Sequence, residues 1–367
     1  MNRRQFLAYG GVSAAGLSAP TLAFAQTTPV DFDLTIEPVD VELIDGRVVY
    51  MLLYYADDRA TPRPTMRTVE GETIAIRVRN NAPLAHGFAI PGIPAASTGP
   101  IAPGATATVV FTAPQAGSYL YLDPLNAPAH RLLGLHGAFV IEPRDGRTPS
   151  GVATPFSSSA ITPAVATLFE SFSEDSTRFP GDPWKPGREK IWLFTQVDPL
   201  LCEQAEMGRT IVGTTVQRTF RARYFTINGL SGFDASEEPT IKPKGYVGEP
   251  LLIRTMNAGR NTHSPHIHGN HILECTTNDA SGAVVVQSNV IERDSWSLGP
   301  LDRKDVMLPF ERPQDIPPAV WPPKEEPFPL RYAMHCHIEM SQTAGGGNYP
   351  QGLTTHWELL GPTRPKA

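Results

Sequence analysis

From residue 30 onward the chain is written as short runs of β-branched, aromatic and aliphatic residues bounded by Gly, Pro, Asn or Asp, the pattern of strands joined by tight turns. In the first half the runs are Val48–Tyr55, Thr73–Val78, Ala107–Phe111, Tyr119–Leu122 and Ala138–Ile141. In the second they are Ile191–Phe194, Tyr224–Gly229, Pro250–Thr255 and Ala283–Val286. Helical periodicity is confined to Ala164–Ser171. This spacing predicts an all-β chain of sandwiches or barrels. An internal echo sets Gly71-Glu72-Thr73-Ile74-Ala75-Ile76-Arg77-Val78-Arg79-Asn80 beside Gly248-Glu249-Pro250-Leu251-Leu252-Ile253-Arg254-Thr255-Met256-Asn257, each followed closely by a histidine. Two copies of one β-domain are therefore expected, over residues 30–145 and 188–363. Between them, residues 146–187 include Ser157-Ser158-Ser159 and Pro180-Gly181-Asp182-Pro183 and read as a linker or lid.

Composition narrows the picture. With 367 residues, 41% of them hydrophobic, the chain can build one large or two medium cores and is too apolar for intrinsic disorder. The 37 prolines and 31 glycines fit many turns and few long helices. A formal charge of −6 offers no basic surface, so no nucleic-acid partner is expected. Asn2-Arg3-Arg4-Gln5-Phe6-Leu7, a weakly apolar stretch from Ala8 to Ala19 and Ala23-Phe24-Ala25 read as a twin-arginine export signal over residues 1–25. Its removal takes away two arginines and no acids, moving the charge from −6 to −8. A periplasmic or secreted protein with no membrane span is expected, since no apolar stretch reaches the ~20 residues that cross a bilayer.

The histidines carry the chemistry. His263-Ser264-Pro265-His266-Ile267-His268-Gly269-Asn270-His271 and His335-Cys336-His337 are two tight clusters. On extended strands His266 and His268 share a face, as do His335 and His337, while Cys336 points the other way. Imidazoles suit copper and zinc, and a thiolate between histidines on a β-sandwich suits copper. Ser-His-Asp grammar, a phosphate-binding Gly loop and a paired-cysteine zinc motif are all missing, which leaves hydrolase and nucleotide-binding readings without support.

The His-x-x-His-x-His-Gly and His-Cys-His motifs, preceded by Phe225-Thr226-Ile227-Asn228-Gly229 and Gly248-Glu249, resemble the last domain of multicopper oxidases, the laccase-like cupredoxin proteins. The resemblance implies two cupredoxin-like Greek-key β-sandwich domains. It implies that His263 and Cys336 bind a type 1 copper, with Cys336 as electron wire. It also implies that His266, His268, His335 and His337 supply one domain's share of a trinuclear cluster that reduces dioxygen. The reductant would be a small molecule (phenol or aromatic amine) or a metal ion. Two-domain members of the family commonly form trimers, so a homotrimer is implied by the resemblance alone.

The ligand set is incomplete against that pattern. Where the family completes its type 1 site with a histidine about five residues past the cysteine, this chain has Ser341. Met340, or His356 folded back by the loop from Gly345 to Gly352, stands as a substitute; otherwise Cys336 packs as a small buried hydrophobe. In the first domain, Leu84-Ala85-His86-Gly87 keeps one histidine of a His-x-His-Gly motif, and Tyr121-Leu122-Asp123-Pro124 keeps neither of the next pair. Gly134-Leu135-His136-Gly137-Ala138-Phe139 still matches the family scaffold. His86 with the four second-domain histidines is then expected to hold one or two metals, the copper number remaining open. His130 and His136 lie nearby. Asp123 and Glu339 read as oxygen ligands or proton relays, or as turn-forming and solvated carboxylates. His271 reads as a ligand or as support for one. Cys202 and Cys275 are permitted a disulfide in an exported protein. The functional reading is a periplasmic copper-dependent oxidoreductase using dioxygen; the alternatives are a non-catalytic copper-binding protein and a metal-free structural cupredoxin.

Overall fold

Alternating burial along Phe32–Glu42 (β1) and Thr73–Asn80 (β4) puts one face of each strand inward, as half-buried strands require. The computed structural model describes residues 30–56, 61–311, 317, 319 and 327–363; the export signal expected over residues 1–25 lies outside the described residues. Between β1 and β4 come Val48–Ala56 (β2) and Met66–Val69 (β3). Ala89–Ile90 (β5), Ile93–Ser97 (β6), Thr106–Thr112 (β7), Gly117–Leu122 (β8) and His136–Glu142 (β9) follow. They form two sheets, ordered β2-β1-β4-β7 and β3-β9-β8-β5-β6. Tyr54 from one sheet meets Tyr121 from the other at 5.4 Å between ring centres, and Phe88 packs beside both.

The second half repeats the arrangement. Its strands are Glu189–Val197 (β10), Tyr224–Ile227 (β11), Lys244–Gly245 (β12), Leu251–Asn257 (β13) and Pro265–Ile267 (β14). Ile272–Asn278 (β15), Val284–Arg293 (β16), Arg303–Leu308 (β17), Leu330–Cys336 (β18) and Thr354–Leu359 (β19) complete the set. The sheets run β11-β10-β13-β17-β15-β16 and β12-β19-β18-β14. The all-β expectation is met, with five short α-helices between strands among the described residues: Ala129–Leu132 (α1), Pro163–Ser171 (α2), Pro199–Glu206 (α3), Gly213–Thr219 (α4) and Gly232–Glu237 (α5). Among the described residues no helix is long and apolar enough to cross a membrane.

The two echoed segments occupy equivalent places: β4 pairs parallel with β1 and antiparallel with β7, and β13 pairs parallel with β10 and antiparallel with β17. Each ends in an asparagine that folds the next turn. Asn80 donates to the carbonyls of Leu84 and Ile101 and accepts from Ala82 N–H. Asn257 donates to Asn261 and Leu298 and accepts from Gly259 N–H.

Residues 146–187 do more than link. Phe156, Phe169, Phe172, Phe179 and Trp184 are buried with Leu252, Leu273, Cys275, Val286 and Met307, so this segment covers the outer face of the six-stranded sheet. Helix α2 is capped by Thr162, whose hydroxyl accepts from Val165 N–H, a favourable start reinforced by Pro163 at the first helical position. Cys275 lies in this outer core, whereas Cys202 on α3 belongs to the main one. Both are free thiols, so the permitted disulfide does not form. Burial pushes the Cys202 thiol up to about 12 and raises that of Cys275 as well.

Charged residues join the halves. Arg254 on β13 is fully buried and bonds Glu189 at 2.7 Å and Asp305 at 3.2 Å. Asp305 also accepts from Ser118 of the first half at 2.5 Å, and Arg67 reaches both Glu142 and Glu189. Burial disfavours the guanidinium charge, yet Asp305 and Glu189 hold its pKa above the ordinary value.

His136 makes stability acid-sensitive. Burial, with Arg63 nearby, drives its pKa from 6.5 down to about 3. The folded protein therefore refuses a proton that the unfolded chain takes up below about pH 6.5. Stabilisation by neutral His136 is full above that pH and is lost as pH falls towards 3. In metal-free protein, His136→Gln should flatten the fall in unfolding free energy between pH 6 and 4 by about 1.4 kcal/mol per pH unit. Urea titrations across that range check it, and an unchanged slope would contradict the assignment.

Candidate metal centre

Antiparallel pairing of β14 with β18 sets His266 directly opposite His335, and directly paired residues share a face. His268 and His337 extend the same face. Ring centres lie 4.5 Å apart for His266 and His268, 5.4 Å for His266 and His335, and 4.2 Å for His266 and His337. His268 and His335 bring their Nε2 atoms within 3.0 Å, about the edge expected when two nitrogens sit ~2.1 Å from one ion. One ligand atom from each of His266, His268 and His335 lies within 4.8 Å of the others.

Supporting contacts select the tautomer that leaves a lone pair for metal. His266 Nδ1 is 2.9 Å from Ser295 Oγ and 3.2 Å from the Asp294 carbonyl, so its proton resides on Nδ1 and Nε2 faces the cluster. Burial first, then His268 and His337, lowers the His266 pKa; burial and His335 lower that of His268. Both shifts keep the imidazoles neutral, the form that binds metal. The donor set fits copper.

Cys336 points to the opposite face and is fully buried. Its sulfur accepts from Ser264 N–H at 3.2 Å and lies 3.8 Å from His263 Nδ1. Here the residues do not fit a complete type 1 site. Gln196 meets His263 Nε2 while its Oε1 accepts from Arg260 and Asn261 N–H at 2.6 and 3.0 Å, so the amide presents N–H to His263 and places the imidazole proton on Nδ1, towards the sulfur. Burial pushes the His263 pKa down to about 4. Ser341 is buried and donates to the Ile338 carbonyl. Met340 and Glu339 are exposed in the 3₁₀ turn Glu339–Gln342. His356 pairs with Ala333 on β18, which puts it on the face opposite Cys336, 3.3 Å from Glu358. Neither proposed substitute reaches the sulfur.

His86 is not brought to the second-half histidines within the chain. It is bridged to Ile101 as His263 is to Leu298, so it is the counterpart of His263 rather than of His266 or His268. Its Nδ1 lies 2.8 Å from Asp123 Oδ2, as does that of His130. Burial works against the Asp123 charge, but hydrogen bonds from His130 and His86 hold its pKa below the ordinary value. His271 faces Glu292 at 3.4 Å and is not part of the cluster. Gln196 and Ser295 carried no signal in the sequence, because neither belongs to a motif or a spacing that marks metal chemistry.

Comparison with known proteins agrees with this architecture. Residues 53–146 match the family model described as multicopper oxidase. Copper resistance protein A of Pseudomonas syringae pv. tomato is 30% identical over 142 residues, which is 36% of this chain and 22% of that protein. The chain spans less than a quarter of the length of the curated relatives it matches. Among solved structures, a blue copper oxidase from Nitrosomonas europaea superposes with a TM-score of 0.63 at 19% identity, covering 89% of this chain and 85% of that one. A copper nitrite reductase from Nitrosomonas europaea gives 0.55 at 17% identity, over 91% and 95%. Residues 53–146 thus resemble multicopper oxidases, and the chain shares its fold with these copper proteins.

Proposed function

We propose that the protein is a periplasmic copper-dependent oxidoreductase that takes electrons from an electron-rich small molecule or low-valent metal ion, with dioxygen as acceptor. The observation that carries this reading is the convergence of His266, His268, His335 and His337 on one face of the β14–β18 pair. Those four side chains hold the copper, which supplies one-electron chemistry when bound. Ser295 and the Asp294 carbonyl orient His266, and the half-exposed cluster gives a reductant direct access. Cys336 adjoins two of the four through the backbone. A homotrimer, implied only by the family resemblance, would bring another copy to this face.

A non-catalytic copper-handling protein is the second reading, favoured by the unfilled set around Cys336 and by the copper resistance relative. Copper-loaded protein should consume oxygen in the presence of a phenol or Fe²⁺, and should show no intense thiolate-to-copper absorption. Copper binding without oxygen consumption would favour handling instead, and an intense red-absorbing band would contradict the reading of Cys336.

A further inference from the structure

The internal repeat gives the buried group in the first half its meaning. His86 and Ile101 exchange backbone hydrogen bonds at 3.2 and 2.7 Å, and His263 and Leu298 do so at 3.0 and 2.9 Å. Strand β8 runs into Tyr121-Leu122-Asp123, and β18 ends in Met334-His335-Cys336, so Asp123 stands where the second half has its cysteine. The residue after each histidine touches that position: Ser264 N–H meets Cys336, and a Cβ on Gly87 would lie 3.4 Å from Asp123 Oδ1. The first half carries a carboxylate in the thiol's place.

A second imidazole completes the group. His130 comes from α1, and its ring centre is 4.5 Å from that of His86. Asp123 Oδ1 is fixed by Leu125 N–H at 2.8 Å, which leaves Oδ2 for the two histidines. His86, Asp123 and His130 are 1%, 1% and 8% exposed. A cavity of about 310 Å³ borders both histidines and is lined by Tyr50, Leu52, Leu84, Leu133 and Ile211 among others. The chain itself closes this side, since Asn126 bonds the Ile211 carbonyl and Gly213 N–H of the second half.

We propose that His86, Asp123 and His130 form a second metal site, a two-histidine, one-carboxylate set for a divalent first-row ion, separate from the four-histidine centre. Nitrogen-to-oxygen separations of 2.8 Å suit bonds of ~2.0–2.2 Å meeting near a right angle at one ion. The ion takes the place of the hydrogen bonds that the two Nδ1 atoms now share with Oδ2. Oxygen and nitrogen donors without sulfur select Zn²⁺, Co²⁺ or Cu²⁺ over Cu⁺.

The test uses the full chain carrying His266→Ala and His335→Ala, which disables the other centre, titrated with Co²⁺. One Co²⁺ per chain with a visible absorption band is expected, and adding Asp123→Asn or His130→Ala should abolish it while circular dichroism stays unchanged. No bound Co²⁺ in the double variant, or binding that survives Asp123→Asn together with His130→Ala, overturns the proposal. Wild-type crystals soaked in Zn²⁺ give a readout that needs no variant. An anomalous peak among the three residues supports the site, and peaks confined to the four-histidine face refute it.

Discussion

Replacing Arg254 by methionine should lower the unfolding free energy by about 3–5 kcal/mol, because it leaves the fully buried Asp305 carboxylate without its cation while Glu189 keeps Arg67. The side chain is fully buried on β13 and is the shared partner of Glu189 and Asp305. Methionine keeps most of the volume, so little of the loss comes from a cavity. Adding Asp305→Asn removes the stranded charge in the deepest position and should recover part of the loss. The network also reaches Ser118, Glu142 and Arg67, so the variant weakens the joint between the two sandwiches. Denaturant unfolding of the single and double variants measures both effects, and separate transitions in the single variant would report uncoupled halves. A loss under about 1 kcal/mol would show the pair to be no stronger than a surface bridge.

Removal of His266 should weaken copper binding at the four-histidine face more than any other single change there. Its ring contacts those of His268, His335 and His337, and it is the least exposed of the four. Loss of a supporting partner typically weakens metal binding ~10–100-fold, so losing the ligand itself should exceed that range. Ser295→Ala, which frees the His266 ring without deleting it, should fall within the range. Competition for copper with a chelator of known affinity ranks the variants against wild type. Equal affinity in His266→Ala, with an intact circular dichroism spectrum, would remove His266 from the ligand set.

Many strands were readable because β-rich runs and turn residues are local signals, but β1, β17 and β19 lay outside the runs and β16 extends well past Val286. The echo around Gly71 and Gly248 was readable for the same reason. Residues 146–187 were misleading because their aromatics are scattered among Ser, Pro and Gly without a period, and only the sheet beneath Phe156, Phe169 and Trp184 makes them a core. The convergence of His266, His268, His335 and His337 follows from two-residue spacing on strands, so the sequence held it. The place of His86 did not follow, since one histidine fits either of two motif positions until its bridge to Ile101 decides between them. Gln196 sets the proton on His263 from a distant strand, a contact that no local pattern encodes.

Both sandwiches open with a strand that pairs in parallel with a much later one: Phe32 lies beside Ile76, and Glu189 beside Leu252. Neither opening strand finds this partner until the intervening chain has been made and looped back, at a cost in closure entropy before any packing compensates. As the chain emerges from the ribosome, β1 can first pair only with its hairpin neighbour β2, leaving its other edge open until β4 arrives. Refolding of each half should accordingly be slow, and the exposed edges of β1 and β10 are the places where nascent chains would stick to one another.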